Sequence, residues 1–246
     1  RQMCIRDRVN DVDIDVVPAY KLDSPKEIKT AVDRTPFHTR YLNSRLDSEL
    51  CDHVRLLKQF MKNIGVYGAE VKTKGFSGYV VELLVIIYGG FREALRNISR
   101  WKPPVYINSL GDEESFKKVV KVLRKKYPDS IIYLPDPVDP LRNAAANVSI
   151  ESLAKIVVAS TCYMKKPSEK FFFTSIETVD LHRFLDNRCI VLLELNIQEK
   201  LPPDTLWGEL LRIADRIVKV LRNHDFNVID YSVWSDEVLR AYIALE

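Results

Sequence analysis

Hydrophobic and polar positions change period along this chain, and the changes mark its elements. "VDIDVV", residues 12–17, alternates acid with aliphatic. Successive side chains of a strand point to opposite faces. The pattern therefore predicts a strand with Asp11, Asp13 and Asp15 on one face and Val12, Ile14 and Val16 on the other, stopped by Pro18. From Thr35 the period lengthens. Thr35 reads as a helix cap and Pro36 as the first helical residue, where a missing backbone donor does no harm. Leu50, Val54, Leu57, Met61 and Ile64 recur at three- and four-residue steps and predict a helix over about residues 48–64, closed by Gly65. "YGAEVKTKGFSGY" is a glycine-punctuated loop. The apolar run after it reads as one buried helix over about residues 79–98. "PPVYINSL" and "SIIYLPDPV" predict short strands on either side of a basic helix at about 113–127. "SIESLAKIVVASTCYMKK" is helical, with Ser149 as its cap.

The last stretch has another rhythm. "RCIVLLELN" predicts a strand. An amphipathic helix follows over about residues 204–223, with Leu206, Leu210, Ile213, Ile217 and Leu221 expected to face a sheet. Strands are expected near Val228 and Tyr242. The order β-α-β-β opens the β-α-β-β-α-β ferredoxin-like unit. At the other end, "RQMCIRDR", residues 1–8, shows no pattern continuous with the acidic strand and is read as a non-native leader on a fragment.

Composition narrows the classes. The chain has 246 residues, 46% apolar and 29% charged, as in ordinary globular proteins. Its longest apolar run, "VVELLVIIYGGF", is too short to span a bilayer, and no membrane partner is expected. Cys4, Cys51, Cys162 and Cys189 lie far apart and form no CxxC pair, so neither a zinc site nor a disulfide framework is expected. The net charge is only +3, but residues 55–102 carry nine Lys or Arg against three Glu. A basic middle suits a polyanionic partner such as phosphate, and equally suits solvated helix faces. The acidic strand has two readings as well, a charged edge that resists pairing or part of a divalent-metal site. Thr35 and His38 sit near a helix N-terminus, where free N–H groups favour an anion.

Taken in order, the acidic strand, "VDRTPFH", "VRLLK", "VYGAEVKTKGFSGY" and "DPVDPLRNAAANVS" resemble archaeal-type (class I) CCA-adding enzymes. These are tRNA nucleotidyltransferases of the DNA-polymerase-β-like superfamily. The motifs run from about Val12 to Asn147, and a weaker likeness in element order continues to the end. The resemblance implies an α+β chain. Residues 9–45 would be the remnant of a polymerase-β-like palm, or head. Residues 46–166 would be a mostly helical central, or neck, domain with a β-containing insert at about 104–135. Residues 167–246 would be a partial ferredoxin-like body domain. The implied activity is template-independent addition of C, C and A to the 3′ end of tRNA, from CTP and ATP, with Mg²⁺. Asp15 would be a catalytic metal carboxylate. Thr35, His38, Lys58 and Tyr67 would contact the triphosphate, and Arg142 the base. The implied partner is the tRNA acceptor end, in the cytoplasm, and a homodimer is allowed. The family's Gly-Ser loop and first two carboxylates have no counterpart in this sequence, so the chain alone is expected to be inactive. Two other readings stand beside this one. One is a related nucleotidyltransferase such as a poly(A) polymerase or oligoadenylate synthase, and the other is a non-catalytic RNA-binding module.

Overall fold

The computed structural model describes residues 5–9, 12–173, 189–199 and 201–246; for Ile5–Val9, Val12, Asp13 and Asp15 it gives the backbone alone. The chain forms two units, one of residues 1–69 and 75–173, the other of residues 70–74 and 174–246. It mixes helices with small sheets, as the α+β reading requires.

The first unit opens with an antiparallel hairpin of β1 (Ile5–Val9) and β2 (Val12–Val16). The acidic strand is where the alternation put it. Residues 5–8 of the expected leader lie in β1, where Ile5–Val9 pair with Val12–Val16. "IRDRV" alternates too, and the register sets Arg6 opposite Asp15 and Arg8 opposite Asp13. Two short 3₁₀ turns, Pro25–Glu27 and Val32–Arg34, lead into α1 (Thr35–Asn43). Thr35 does not cap this helix. The turn before it is already helical, so Arg34 takes the capping place without a side-chain bond and Thr35 is an exposed first-turn residue. The loop upstream is gathered by Asp33, which is buried. Its carboxylate accepts from the backbone N–H groups of Tyr20, Lys29 and Thr30 at 3.0, 3.2 and 2.7 Å. Burial alone would raise its pKa, but those N–H groups outweigh burial and hold it below the usual carboxylate range.

Helix α2 (Ser48–Asn63) starts at Asp47, which accepts from the Leu50 N–H at 2.8 Å. Its buried face carries Val54, Leu57, Phe60 and Met61. The apolar run that read as one helix is two, α3 (Gly78–Tyr88) and α4 (Phe91–Ile98). Gly89 at φ +80° and Gly90 at φ +148° turn the chain between them in a way a side chain would resist. Val80, Val81, Leu83, Leu84 and Val85 bury most sides of α3. Beside it Phe60 centres an aromatic cluster with Phe91, Tyr163, Phe171 and Phe172. Strands β3 (Val105–Tyr106) and β4 (Ile132–Tyr133) run parallel, joined through α5 (Glu113–Lys126). Helix α6 (Ile150–Lys165) follows, capped by Ser149 as expected.

In the second unit β5 (Val191–Asn196), β6 (Tyr231–Ser235) and β7 (Arg240–Leu245) form an antiparallel sheet in the order β5-β7-β6. Helix α7 (Pro203–Asn223) connects β5 to β6, which are parallel to each other with β7 between them. This is the split β-α-β arrangement that opens a ferredoxin-like unit. Its core stripe is rotated from the expected one. Leu206, Trp207, Leu210, Ala214 and Val218 are buried, Ile217 and Leu221 line the edge, and Ile213 is 38% exposed. Val228 is buried, but the strand starts only at Tyr231. Among the described residues no helix is long and apolar enough to cross a membrane.

Candidate nucleotide site

Four of the residues singled out by sequence, Lys58, Tyr67, His38 and Arg142, come together around the first turn of α3. The loop before it is drawn tight by backbone bonds. Phe76 N–H donates to Val66 O, Gly68 N–H to Phe76 O, and Gly75 N–H to Gly68 O, each at 2.8 Å. A Cβ on Gly75 would lie 2.1 Å from Val66 O, so no other residue fits there. This closure turns Tyr67 toward α3. Lys58 reaches the same point from α2. A Cβ placed on Gly78 would meet the Tyr67 hydroxyl at 3.1 Å and Lys58 Nζ at 3.7 Å. Lys58 Nζ also pairs with Glu82 Oε1 at 2.6 Å, one turn further along α3. Lys62 Nζ sits 5.3 Å from the centre of the Tyr67 ring, and Arg55 pairs with Asp52 on its own helix.

His38 and Arg142 meet at a second point, one residue along. Asp136 is fully buried. Its Oδ2 accepts from His38 Nε2 at 2.8 Å and from an Arg142 guanidinium nitrogen at 2.9 Å. Its Oδ1 accepts from the Tyr79 hydroxyl and the Val138 N–H, both at 2.9 Å. The His38 and Tyr79 rings stack at 3.9 Å, 21° from parallel. Burial pushes the Asp136 pKa up, but His38, through its hydrogen bond and charge, with Val138 N–H and the Tyr79 hydroxyl, brings it below the ordinary carboxylate value. Tyr79 moves the other way, its phenol pushed up by burial and by the Asp136 charge. The loop that carries Asp136 is closed by Asp136 N–H to Arg142 O at 3.0 Å, and Arg34 of the 3₁₀ turn reaches Asp139 at 3.1 Å. Arg142, residues 143–148, Gly75 and Ser77 line a cavity of about 260 Å³.

Lys58 and Tyr67 thus occupy the space beside Gly78 that a side chain there would enter, while His38 and Arg142 share a carboxylate with Tyr79. Thr35, exposed one turn before His38, joins neither group among the described residues. Asp15 lies on β2, and its side chain is outside the described residues. Among the described residues no cluster of three His, Cys, Asp or Glu side chains could hold a metal. They therefore do not amount to a magnesium-pair site, which needs several oxygen ligands. Sequence reasoning missed Asp136, Tyr79 and Glu82. Glu82 could have been found as the lone charge in an apolar run, since a charge there needs a partner. Asp136, lodged between prolines in "LPDPV", carried only a turn signal.

This geometry coincides with a sequence match. Residues 52–173 match the family described as tRNA nucleotidyltransferase, second domain. The CCA-adding enzyme of Sulfurisphaera tokodaii is 46% identical over 228 residues, covering 93% of this chain and 51% of that protein. That of Saccharolobus islandicus is 42% identical, covering 93% and 52%, and that of Sulfolobus acidocaldarius 41% identical, covering 93% and 51%. The chain belongs to the archaeal CCA-adding enzyme family of tRNA nucleotidyltransferases, and it spans about half the length of the curated relatives it matches.

Proposed function

We propose that this chain forms the triphosphate-facing and base-facing walls of the nucleotide pocket in an enzyme that adds C, C and A to the 3′ end of tRNA. The carrying observation is the convergence of Lys58, Tyr67, His38 and Arg142 on the first turn of α3. Helix N-termini favour anions. A triphosphate there would compete with Glu82 for Lys58 and take a hydrogen bond from the Tyr67 hydroxyl. Thr35 and His38 would approach it from α1. Arg142, on the cavity wall, would offer its planar fork to a base edge. Binding and orientation of CTP and ATP are the contributions these side chains can make. Asp15 is proposed as one oxygen ligand of Mg²⁺. Residues 9–45, 46–166 and 167–246 are proposed as head remnant, neck and partial body, the last contacting the tRNA acceptor end in the cytoplasm.

The test is a chimera. The matching segment of the Sulfurisphaera tokodaii enzyme is replaced by this chain, and addition of labelled C and A to a tRNA lacking its 3′ end is measured. Addition is expected in the chimera and not with this chain alone, and Asp15→Ala should abolish it. A folded chimera that binds tRNA but transfers no nucleotide would overturn the reading.

A further inference from the structure

Asp136 is a fully buried charge that joins three stretches of chain, α1 through His38, α3 through Tyr79 and its own loop through Arg142. A charge is retained out of water only when partners offset its desolvation, and here both carboxylate oxygens accept two bonds each. The consequence for His38 is definite. An ionised carboxylate can only accept, so Nε2 carries a proton and the ring plane is set by that bond and by the Tyr79 stack. The consequence for Arg142 is similar. One corner of its guanidinium is anchored, which holds the residue beside the cavity that it lines.

We propose that Asp136 is the positioning residue of the nucleotide pocket, the buried carboxylate that fixes His38 and Arg142 relative to each other and to the first turn of α3. Phosphate-side and base-side contacts are then set as one unit. This rests on the functional reading above, and it adds a residue that need not touch the nucleotide. A shared anchor makes a definite prediction about coupling. Mutations of two residues held by one group are non-additive, whereas independent sites add.

The experiment is ligand-observed NMR titration of the full 246-residue chain with CTP, ATP, UTP and GTP. The proteins are the unmodified chain, Asp136→Asn, His38→Ala, Arg142→Ala and the double variants. Asp136→Asn keeps the shape and one acceptor oxygen, and it is expected to weaken CTP and ATP binding at least tenfold. Adding His38→Ala or Arg142→Ala to it should weaken binding less than a further twofold. The ¹⁵N signals of the His38 ring should show Nε2 protonated in the unmodified chain and a changed tautomer balance in Asp136→Asn. If Asp136→Asn fails to fold, the His38→Ala/Arg142→Ala pair serves instead: a double effect well below the product of the singles supports the shared anchor, and a simple product overturns it. Unchanged nucleotide binding by folded Asp136→Asn, or undiminished effects of the second mutation, overturns this inference alone. If the unmodified chain binds none of the four nucleotides, the functional reading falls and takes the inference with it.

Discussion

Replacing Asn143 with alanine should be among the most damaging single changes in the first unit. Its side chain is 3% exposed and makes four hydrogen bonds. Its Oδ1 accepts from Leu134 N–H at 3.0 Å and Ala145 N–H at 3.2 Å, and its Nδ2 donates to Ser130 Oγ at 2.8 Å and Ile132 O at 2.7 Å. A hydrogen bond contributes about 1 kcal/mol net, and a buried donor left dry costs more than that mean. Ser130 Oγ also donates to Ile132 O, so that carbonyl keeps a partner, but the two N–H groups lose theirs. The expected loss is about 4 kcal/mol. With a urea slope of about 2 kcal/mol per molar for a domain of this size, the midpoint falls by about 2 M. Trp101 reports on this unit once Trp207 and Trp234 are replaced by phenylalanine, and its fluorescence follows the transition. Asn143→Asp supplies a check with nearly unchanged shape. It sets an acceptor against Ile132 O until it is protonated, so its folded-state pKa is raised. Its stability approaches that of the parent below the unfolded carboxyl value near ~3.9 and is lost as pH rises through the folded one. A midpoint shift under about 0.5 M for Asn143→Ala would refute the reasoning.

Gly75→Ala has no room for its Cβ and should open the loop, losing at least two backbone bonds and about 2 kcal/mol, read as a lower melting temperature of the first unit. In the chimera, Lys58→Ala and His38→Ala should raise the apparent KM for CTP and ATP alike, while Arg142→Ala should erode discrimination against UTP and GTP; a base-blind effect of Arg142→Ala equal to that of Lys58→Ala on all four nucleotides would contradict the separate roles. Asp33 and Asp136 both have folded-state pKa values lowered from the ordinary range. Their contribution is therefore complete above the unfolded value near ~3.9 and is lost as pH falls through the folded values, so melts between pH 7 and pH 3 should hold down to about pH 4 and then drop. Stability that rises on acidification would contradict this sign.

The sequence was most legible where one local rule acted alone. The alternation in "VDIDV", the cap at Ser149 and the helical step from Val54 to Met61 each needed only neighbouring residues. The failures came where tertiary packing chose among local options. Thr35 looked like a cap because the residues before it read as a loop, but they wind into a 3₁₀ turn around Asp33. Two glycines in an apolar run are compatible with one helix or two, and only the packing of α4 decides. Ile213 and Ala214 are adjacent, and the sheet selected the smaller one for close approach. Among the candidate residues, the resemblance supplied Lys58, Tyr67, His38 and Arg142 one by one, but not the carboxylate that binds two of them. Asp136 is about a hundred residues from His38 in sequence, and nothing local connects them.

Because Gly78 and Tyr79 begin a helix whose next residues, Val80 to Val85, are mostly core, the floor of the proposed pocket would also be a load path of the interior. Drift in the packing of Val80, Val81 or Leu84 would then reach a nucleotide bound there as a change of angle. Lineages that retune nucleotide choice are then expected to do so by rewriting the loops at 66–77 and 136–148, while α3 changes slowly and in step with its neighbours. The helix acts as a datum against which the two loops are set, and substitutions inside it should covary across the core more than with the loops they support.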